Sequence, residues 1–337
     1  MQAVVLAEPG RFQLIEQDSP PPPGPGEAQV RVHRIGVCGT DLHAFAGRQP
    51  FFTYPRILGH ELGVEIVAAG PGVEARVGEH CSLEPYFNDP NSPASRAGKP
   101  NCCENLRVFG VHLDGGMRPR VNVPAPKLHR SDKLTFEQLA LVETLCIGAH
   151  GVERAGLRAG ETALVIGAGP IGLSAIQFAL AARAKVAVVD VSAQRLAFVR
   201  EKLGVQHTLD GGTGAVEMQL RAIFSGNLPV VVIDATGNSG AMGRSFTLVA
   251  HGGRLVFLGL VTGPICFEDP NFHRRELTLL ASRNALPGTF TDVIARVERG
   301  EIDTTPWITH RLPLVEVPAR FAKLTSEPGL IKAMIEV

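Results

Sequence analysis

The stretch that decides the fold is Ala163-Leu164-Val165-Ile166-Gly167-Ala168-Gly169-Pro170-Ile171-Gly172. It begins with a short apolar run, which is typical of a parallel strand covered by helices on both faces. The glycine-rich part fits the pattern G-x-G-x-x-G and leads into a helical segment. A second apolar run ends in Asp190, about 20 residues further on, where a dinucleotide-binding turn has its acidic residue. The alternative is an ordinary glycine-rich turn between a strand and a helix.

Each glycine of this turn has its own physical task. Gly167 permits the tight turn, Gly169 lets the backbone approach a pyrophosphate, and Gly172 lets helix and strand pack closely. The N-terminus of the helix offers unpaired N–H groups to the phosphates. Asp190 accepts hydrogen bonds from ribose hydroxyls and repels a 2′-phosphate, which favours NAD, while Arg195 keeps NADP as an alternative. The predicted cofactor-binding residues are Gly167, Gly169, Pro170, Ile171, Gly172, Asp190 and Arg195.

Further apolar runs follow the turn, and helical segments separate them. Alternation of strand and helix is typical of a doubly wound α/β domain, which we place at residues 147–283. A buried helix at 139–152 precedes it. The later runs lie at 186–189, 230–233, 255–258 and 277–280, and the clearest helical segments at 171–182 and 192–203.

The flanking sequence has a different character. Residues 27–37 alternate between apolar and polar side chains, as a half-buried strand does. A second strand is predicted at 63–69, and residues 85–101, rich in proline, asparagine and serine, are predicted to form a long loop. We expect residues 1–146 and 284–337 to form one second domain.

The composition excludes several classes of protein. The chain has 337 residues, 45% of them hydrophobic and 20% charged, which is typical of a globular chain with two domains. Its 33 basic and 33 acidic residues give no net charge and exclude a broad electrostatic surface for nucleic acid. No run approaches the ~18 apolar residues of a membrane span, and the first residues lack the basic region of a signal peptide. We therefore expect a cytoplasmic protein whose six cysteines stay reduced, with no nucleic-acid or membrane partner.

Two short segments of the first domain carry metal-ligand side chains beside glycines. They are Gly36-Val37-Cys38-Gly39-Thr40-Asp41-Leu42-His43 and Gly59-His60-Glu61-Leu62-Gly63. Thiolate, imidazole and carboxylate are ligand types of zinc, although each residue taken alone is equally explained as a core or surface residue. Spacing alone leaves both interpretations open, because these side chains do not lie on one helix.

Together these segments resemble the medium-chain dehydrogenase/reductase superfamily, and within it the zinc-dependent alcohol and sorbitol-type polyol dehydrogenases. The matches are Cys38-Gly39-Thr40-Asp41-Leu42-His43, Gly59-His60-Glu61, Gly63 with Gly70, and the turn at 167–172, in order over essentially the whole chain. Residues 49–56, 110–116 and 282–285 resemble L-galactonate, L-gulonate and L-idonate 5-dehydrogenases in particular. The resemblance implies a GroES-like, mainly β catalytic domain joined to a Rossmann domain with a doubly wound parallel sheet.

The resemblance also implies the ligands of one catalytic zinc. Cys38 and His60 would bind the metal directly, and Glu61 would bind it in some states. Glu143 falls where polyol dehydrogenases carry a further carboxylate at the zinc. The next residue is usually proline in the family and is Thr144 here, so we expect a different local backbone.

A proton relay follows from the same resemblance. A catalytic zinc keeps one position open for substrate and lowers the pKa of an alcohol bound there. The released proton would pass from the substrate oxygen through Thr40 and the cofactor ribose to His43. Thr40 has the alternative role of a hydrogen bond within the loop, and His43 that of packing on a helix face. Asp41 would orient His60, as metal-bound imidazoles generally require.

Many relatives carry a second, structural zinc on four cysteines spaced C-x2-C-x2-C-x7-C. The corresponding residues here are Asp89, Ser92, Ser95 and Cys103, of which only the last is cysteine. A tetrahedral structural site needs four good ligands, and serine is a poor one. We therefore expect no structural zinc and about one zinc per chain.

Substrate-binding residues are expected among a few local side chains, since the net charge is zero. Arg283 falls where polyol dehydrogenases place an arginine that reaches the substrate, and a bidentate arginine suits a carboxylate. Arg118 either clamps a carboxylate or lies in a solvated loop. His112 is a candidate for the cleft wall.

The sequence therefore predicts a zinc-dependent oxidoreductase that transfers hydride from a secondary hydroxyl of a polyol or sugar acid, such as L-gulonate or L-galactonate, to NAD. One alternative is a zinc-free NADPH quinone or enoyl reductase of the same fold, against which Cys38, His60, Glu61 and Asp190 argue. Another is a non-catalytic dinucleotide-binding protein. Because the family forms dimers and tetramers, we expect a homodimer or homotetramer. The apolar strand at 253–260 either pairs across a symmetry axis or lies inside the sheet.

Overall fold

The computed structural model describes residues 1–50, 52–324 and 326–337. Phe51, within one of the stretches that carry the family resemblance, lies outside the described residues. Among the described residues, no helix is both long and apolar enough to cross a membrane.

The chain divides into two compact units. The first unit comprises Met1–Glu143 and Leu286–Val337, and the second comprises Thr144–Ala285. The cofactor domain predicted at 147–283 lies inside the second unit. The last segment of the chain joins the first unit, because its strands pair with strands from the N-terminal part.

The strands and helices are named in chain order. The strands are β1 (Gln2–Glu8), β2 (Arg11–Glu16), β3 (Glu27–Gly36), β4 (Arg56–Ile57), β5 (Glu61–Ala69), β6 (His80–Leu83), β7 (Tyr86–Phe87), β8 (Arg107–Val108), β9 (Arg120–Pro124), β10 (Leu128–Arg130), β11 (Thr162–Ile166), β12 (Lys185–Asp190), β13 (His207–Asp210), β14 (Val231–Asp234), β15 (Arg254–Phe257), β16 (Thr278–Ala281), β17 (Ile308–Pro313) and β18 (Lys332–Glu336). The helices are α1 (Gly39–Phe45), α2 (Pro93–Arg96), α3 (Phe136–Arg154), α4 (Pro170–Ala181), α5 (Ala193–Leu203), α6 (Val216–Ile223), α7 (Ser239–Ser245), α8 (Asp269–Arg274), α9 (Pro287–Glu298) and α10 (Val317–Leu324).

The first unit is built mainly from strands. Its largest sheet has the order β10-β6-β5-β3-β18-β17, with β9 also paired to β3, and smaller sheets have the orders β2-β1-β4 and β7-β8. The strand predicted at 27–37 is β3, where Val30 and Val32 are buried and Arg31 is exposed, as the alternation indicates. The strand predicted at 63–69 is the greater part of β5.

The second unit contains a six-stranded parallel sheet of order β13-β12-β11-β14-β15-β16. Val165 of β11 pairs with Val188 of β12 on one side and with Ile233 of β14 on the other. Each apolar run predicted to be a strand coincides largely with one of these strands. The strand order reverses between β11 and β14, and such reversals open a ligand crevice at the carboxyl ends of the strands. The predicted doubly wound parallel sheet is confirmed.

The position of β15 decides between the two roles considered for residues 253–260. β15 pairs with β14 on one side and β16 on the other, so it lies inside the sheet and offers no free edge. The edge of the sheet on this side is formed by β16, where Leu279 is 40% exposed. Residues 254–257 therefore have the second of the two roles, that of an inner strand.

Helix α3 contains the predicted buried segment 139–152 and runs without interruption through Thr144. A proline at that position would remove a backbone hydrogen bond inside the helix, whereas threonine retains its N–H group. The helix carries Glu143 at the end of the first unit and continues into the second.

The loop predicted at 85–101 is not wholly irregular, because it contains β7, α2 and the beginning of a 3-10 turn at Pro100–Cys102. Ser92 caps α2 by accepting a hydrogen bond from the N–H of Ser95, and Pro93 occupies the first turn. Serine at the cap and proline at the first helical position favour a helix start, so this composition indicates a short helix as well as a loop.

Candidate active site

Strands β3 and β5 bring the two predicted metal-ligand segments together. Gly36 at the end of β3 pairs with Glu61 at the start of β5 in antiparallel register. Cys38 follows β3 as the N-cap of α1, and His60 directly precedes β5. The ligand atoms of Cys38, His60 and Glu61 consequently lie within 4.8 Å of one another. In the part of the chain that the structure describes, no other group of three such side chains is as compact.

The carboxylate of Glu61 is paired with Lys332, a residue that sequence reasoning missed. Lys332 Nζ donates to Glu61 Oε1 at 2.7 Å and lies 2.5 Å from Oε2, with both side chains 1% exposed. Strand β18 brings the lysine there, because Met334 pairs with Gly36 on the other side of β3. A side-chain carbon on Gly36 would overlap Glu61 Oε2, so glycine leaves the space that the carboxylate fills.

Asp41 lies behind His60 and caps the start of α1. The N–H of Cys38 donates to Asp41 Oδ2 at 2.9 Å. The other carboxylate oxygen lies 3.8 Å from His60 Nδ1, beyond hydrogen-bonding distance. Among the described residues neither of these two atoms has a hydrogen-bond partner, although both are buried. The pair is therefore close, and a small adjustment of the imidazole ring would join it.

The charges in the cluster shift two pKa values in the same direction. Burial alone lowers the pKa of His60, but the negative charges of Cys38 and Asp41 outweigh it and raise this pKa well above its ordinary value. Burial likewise lowers the pKa of Lys332, and the charge of Glu61 more than offsets this and raises it. Both shifts reflect an excess of negative charge, which a divalent cation would neutralise. The donor set of thiolate, imidazole and carboxylate therefore fits zinc in chemistry and in charge.

Glu143 lies just outside this compact cluster. It is buried on α3, and the O–H of Tyr86 donates a hydrogen bond to its Oε1. Burial raises the pKa of Glu143, and the neighbouring charge of Glu61 adds to this while that of His60 opposes it. Tyr86 was missed by sequence reasoning because it stands in a segment predicted to be loop.

Thr40 and His43 lie one turn apart on α1, so their side chains share a face of the helix. Thr40 is half-buried and His43 is exposed. This arrangement puts a hydroxyl next to the metal-ligand segment and an imidazole nearer to solvent.

The glycine-rich turn of the second unit has the backbone that its sequence predicts. Gly167 has φ 93°, a conformation that favours glycine, and a side-chain carbon on Gly172 would overlap the carbonyl oxygen of Gly167. Gly169 is the N-cap of α4, and Pro170 and Ile171 form its first turn. A side-chain carbon on Gly169 would lie 3.8 Å from Arg195 Nη1, which puts this guanidinium beside the turn.

Asp190 at the end of β12 is tied to the turn. Its Oδ2 accepts from the N–H of Ala168 at 2.6 Å, and its Oδ1 accepts from the N–H of Ser192 at 2.8 Å. The carboxylate is therefore fixed at the carboxyl end of the sheet, at the place where an acidic residue meets the ribose in dinucleotide-binding folds.

Residues 88–105 form the lobe that carries the structural zinc in many relatives. Hydrogen bonds within this lobe involve all four residues that correspond to the zinc-binding cysteines of those relatives. Ser92 Oγ donates to Ser95 Oγ at 2.9 Å, and Asn88 Nδ2 donates to the same atom at 3.0 Å. The N–H of Asp89 donates to Cys103 Sγ at 3.4 Å. These contacts link the two ends of the lobe.

The predicted substrate residues lie in different surroundings. Arg118 donates to the carbonyl oxygens of Gly115 at 3.0 Å and Asp114 at 3.2 Å, and burial lowers its pKa. His112 accepts from the N–H of Val108 at 3.0 Å. Arg283 is exposed in the loop that follows β16, in the second unit.

Two family models match the chain. The alcohol dehydrogenase GroES-like domain matches residues 24–133, and the zinc-binding dehydrogenase domain matches residues 170–299. The first match covers the metal-ligand cluster, and the second begins within the glycine-rich turn.

Individual relatives and solved structures match the chain over nearly its whole length. L-galactonate-5-dehydrogenase of Escherichia coli strain K12 is 40% identical over 98% of this chain and 98% of its own. The crystal structure of RspB from Escherichia coli CFT073, complexed with NADH, has a TM-score of 0.93 and 28% identity, covering 100% of this chain and 99% of its own. A zinc-binding dehydrogenase of Sinorhizobium meliloti 1021, bound to NADP, has a TM-score of 0.91 and 30% identity over 100% and 99% of the two chains. The chain therefore belongs to the zinc-type medium-chain alcohol dehydrogenase family, with a GroES-like domain and a Rossmann domain, and it is an oxidoreductase of that family.

Proposed function

We propose that the protein oxidises a secondary hydroxyl of a polyol or sugar acid with NAD as hydride acceptor, using one catalytic zinc. The observation that carries this proposal is the cluster of Cys38, His60 and Glu61, whose ligand atoms lie within 4.8 Å of one another and of which His60 and Glu61 are buried. The relative named for L-galactonate supports an aldonate as substrate. In the reaction, hydride leaves the substrate carbon for the nicotinamide, and the hydroxyl proton is released as the carbonyl forms.

Cys38 and His60 would hold the zinc, and Glu61 would contribute a carboxylate at the edge of the site. Bound zinc supplies a Lewis acid that polarises the substrate oxygen. These three protein ligands would leave one position for the substrate, as in catalytic zinc sites generally. Asp41, 3.8 Å from His60 Nδ1, orients the imidazole when the ring turns towards it.

Thr40 and His43 remove the proton. The half-buried hydroxyl of Thr40 accepts the proton at its Oγ1 and gives up its own to the cofactor ribose, from which the proton passes to His43, one turn further along α1. His43 is exposed and passes the proton to solvent. An imidazole can accept a proton at one ring nitrogen and release one from the other, which suits it to this last transfer.

The second unit binds the dinucleotide at the carboxyl ends of β11 and β12. The turn with Gly167, Gly169 and Gly172 lies against the pyrophosphate, and the N-terminus of α4 with Pro170 and Ile171 points at the phosphates. Asp190, fixed by two backbone N–H groups, bonds to the ribose and disfavours a 2′-phosphate. Arg195 lies beside Gly169 and is the residue that would tolerate NADP.

Arg283, Arg118 and His112 are proposed to contact the substrate. Arg283 is exposed in the loop that follows β16, and a guanidinium suits a carboxylate or a hydroxyl. Arg118 and His112 support the loop around residues 108–118, so their contribution is to hold that loop in place as much as to touch substrate.

We further propose a homodimer or homotetramer in the cytoplasm, with one zinc per chain. Strand β16 has an unpaired edge in the described sheet and an exposed Leu279, which supports association through the second unit. A thiolate ligand and free cysteines suit a reducing compartment. Light scattering after gel filtration measures the assembly.

The test is an oxidation assay over a panel of polyols and aldonates, run with NAD and with NADP, on protein whose zinc has been quantified. The expected result is NAD reduction with an aldonate or polyol and about one zinc per chain. Reduction of quinones by metal-free protein would instead favour the zinc-free reductase. Inactivity towards the whole panel would favour a non-catalytic role.

A further inference from the structure

Tyr86 and Glu143 form a buried contact that the zinc chemistry does not by itself require. The O–H of Tyr86 donates to Glu143 Oε1, and the two residues are 57 positions apart in the chain. Their exposed fractions are 3% and 4%. A hydroxyl that donates to a buried carboxylate makes one of the stronger classes of hydrogen bond, so the contact restricts where the carboxylate can go.

The backbone and ring of Tyr86 are themselves fixed. Tyr86 lies on β7 and pairs with Val108 of β8. Its ring packs edge-on against Phe290 of α9, with 6.1 Å between ring centres, and Phe290 is fully buried. The hydroxyl is consequently held in one place by two elements that are independent of α3, the helix that carries Glu143.

Glu143 lies near the metal cluster without belonging to it. Its carboxylate interacts electrostatically with His60, Glu61 and Lys332, whereas the compact ligand group consists of Cys38, His60 and Glu61. Zinc with one thiolate and one carboxylate is electrically neutral. A second carboxylate on the metal would fill the position that the substrate needs.

We propose that Tyr86 is a positioning residue whose hydroxyl holds Glu143 beside the zinc site and out of the substrate's ligand position. The inference rests on the proposed zinc site. It assigns a role to a residue outside the ligand set, and it explains how the site contains two carboxylates while a position stays open.

The test replaces zinc by cobalt(II), whose visible absorption weakens when the coordination number rises from four to five. Tyr86→Phe removes one oxygen and keeps the ring. In this variant we expect Glu143 to reach the metal, with weaker cobalt absorption and with zinc loss to a chelator slowed about tenfold or more, the scale on which outer partners of metal ligands act. Tyr54→Phe is the matched control, since Tyr54, the other tyrosine of the chain, donates its hydroxyl to the backbone oxygen of Ala44.

The Glu143→Gln variant serves as a second background, in which positioning of the carboxylate can be separated from a general disturbance of the structure. In Glu143→Gln, which cannot supply a carboxylate, the further change Tyr86→Phe should leave the cobalt spectrum and the zinc-loss rate unaltered. An unchanged spectrum in Tyr86→Phe with Glu143 intact, or the same shift in the Glu143→Gln background, would overturn the inference. A wild-type protein that binds no metal would overturn the proposed function and this inference together, so the two failures are distinguishable.

Discussion

Lys332 and Glu61 form a fully buried ion pair across 271 residues of sequence, with Nζ 2.7 Å from Oε1 and 2.5 Å from Oε2. The pair exists because β3 has β5 on one side and β18 on the other. Its lysine comes from the last strand of the chain, and its carboxylate from the segment that provides the metal ligands. The C-terminal strand therefore completes the candidate active site.

Removing one partner of this ion pair should destabilise the folded protein. Lys332→Met leaves the carboxylate of Glu61 buried without its counter-charge, and we expect the free energy of unfolding of the metal-free protein to fall by about 3–5 kcal/mol. Urea denaturation of the metal-free protein measures the change. Lys332→Arg keeps the charge and should lose much less.

The double variant Lys332→Met with Glu61→Gln tests the cause. Because it removes both charges, it should regain a large part of the stability lost by Lys332→Met alone. If the double variant is as unstable as the sum of the two single ones, the ion pair is not the source of the effect.

Gly36 is predicted to tolerate no side chain. A methyl group there would overlap Glu61 Oε2, so Gly36→Ala must displace the carboxylate from the cluster. We expect zinc affinity to fall by about tenfold or more, measured by competition with a chromogenic chelator. Gly288→Ala is the control, because a side-chain carbon at Gly288 meets no atom within 4 Å. Equal zinc affinity in the two variants would contradict the packing explanation.

The sequence was sufficient for the features that depend on local patterns. The strand, glycine turn and acidic residue at 163–190 predict the parallel sheet, because apolar runs and glycines act through neighbouring residues. The segments with Cys38 and His60 also indicate their chemistry, because the types and the order of neighbouring residues can be read directly from the sequence. Even the boundary of β5 is predicted to within a few residues.

Lys332 and Tyr86 could not be found in this way. Lys332 stands in an ordinary strand and becomes a partner of Glu61 only through the pairing of Met334 with Gly36. Tyr86 meets Glu143 only when β7 is brought against α3. Both contacts depend on long-range pairing, for which a single sequence carries no periodic signal. The short elements at 85–101 were missed for a local reason, because proline and serine favour both loops and helix starts.

The cysteines should differ sharply in reactivity. Cys102 and Cys266 are exposed, whereas burial raises the pKa of Cys81 to about 12, which keeps that thiol protonated at pH 8. We expect a thiol reagent to modify Cys102 and Cys266 rapidly in the zinc-loaded protein and Cys38 in addition after zinc is removed. Peptide mapping by mass spectrometry identifies the modified residues. Rapid modification of Cys38 in the loaded protein would argue against its being a ligand.

Asp190 should control the choice of cofactor. Asp190→Asn removes the charge and keeps an acceptor oxygen for one of the two backbone N–H groups, so part of the hydrogen bonding to the turn is retained while repulsion of a 2′-phosphate is lost. We expect the ratio of kcat/KM for NAD to that for NADP to fall by about tenfold, a difference of ~1.4 kcal/mol. Asp210→Asn is the matched control, because Asp210 pairs with Asp190 at the same level of the neighbouring strand β13. An unchanged ratio in Asp190→Asn would remove the carboxylate as the discriminating group.

Thr40 should be needed for turnover and dispensable for the metal. Thr40→Val replaces the hydroxyl by a methyl group of similar size, so the start of α1 and the cap made by Asp41 are retained. Because this hydroxyl is the proposed first acceptor of the substrate proton, we expect kcat to fall by about a hundredfold or more without it. Zinc content, measured by atomic emission, should stay at the wild-type level, and Thr213→Val, at an exposed turn of the second unit, should change neither quantity. His43→Gln should reduce kcat less, because water can replace an exposed imidazole in the last transfer. Wild-type turnover in Thr40→Val would remove Thr40 from the mechanism, and loss of zinc in that variant would assign it a structural role instead.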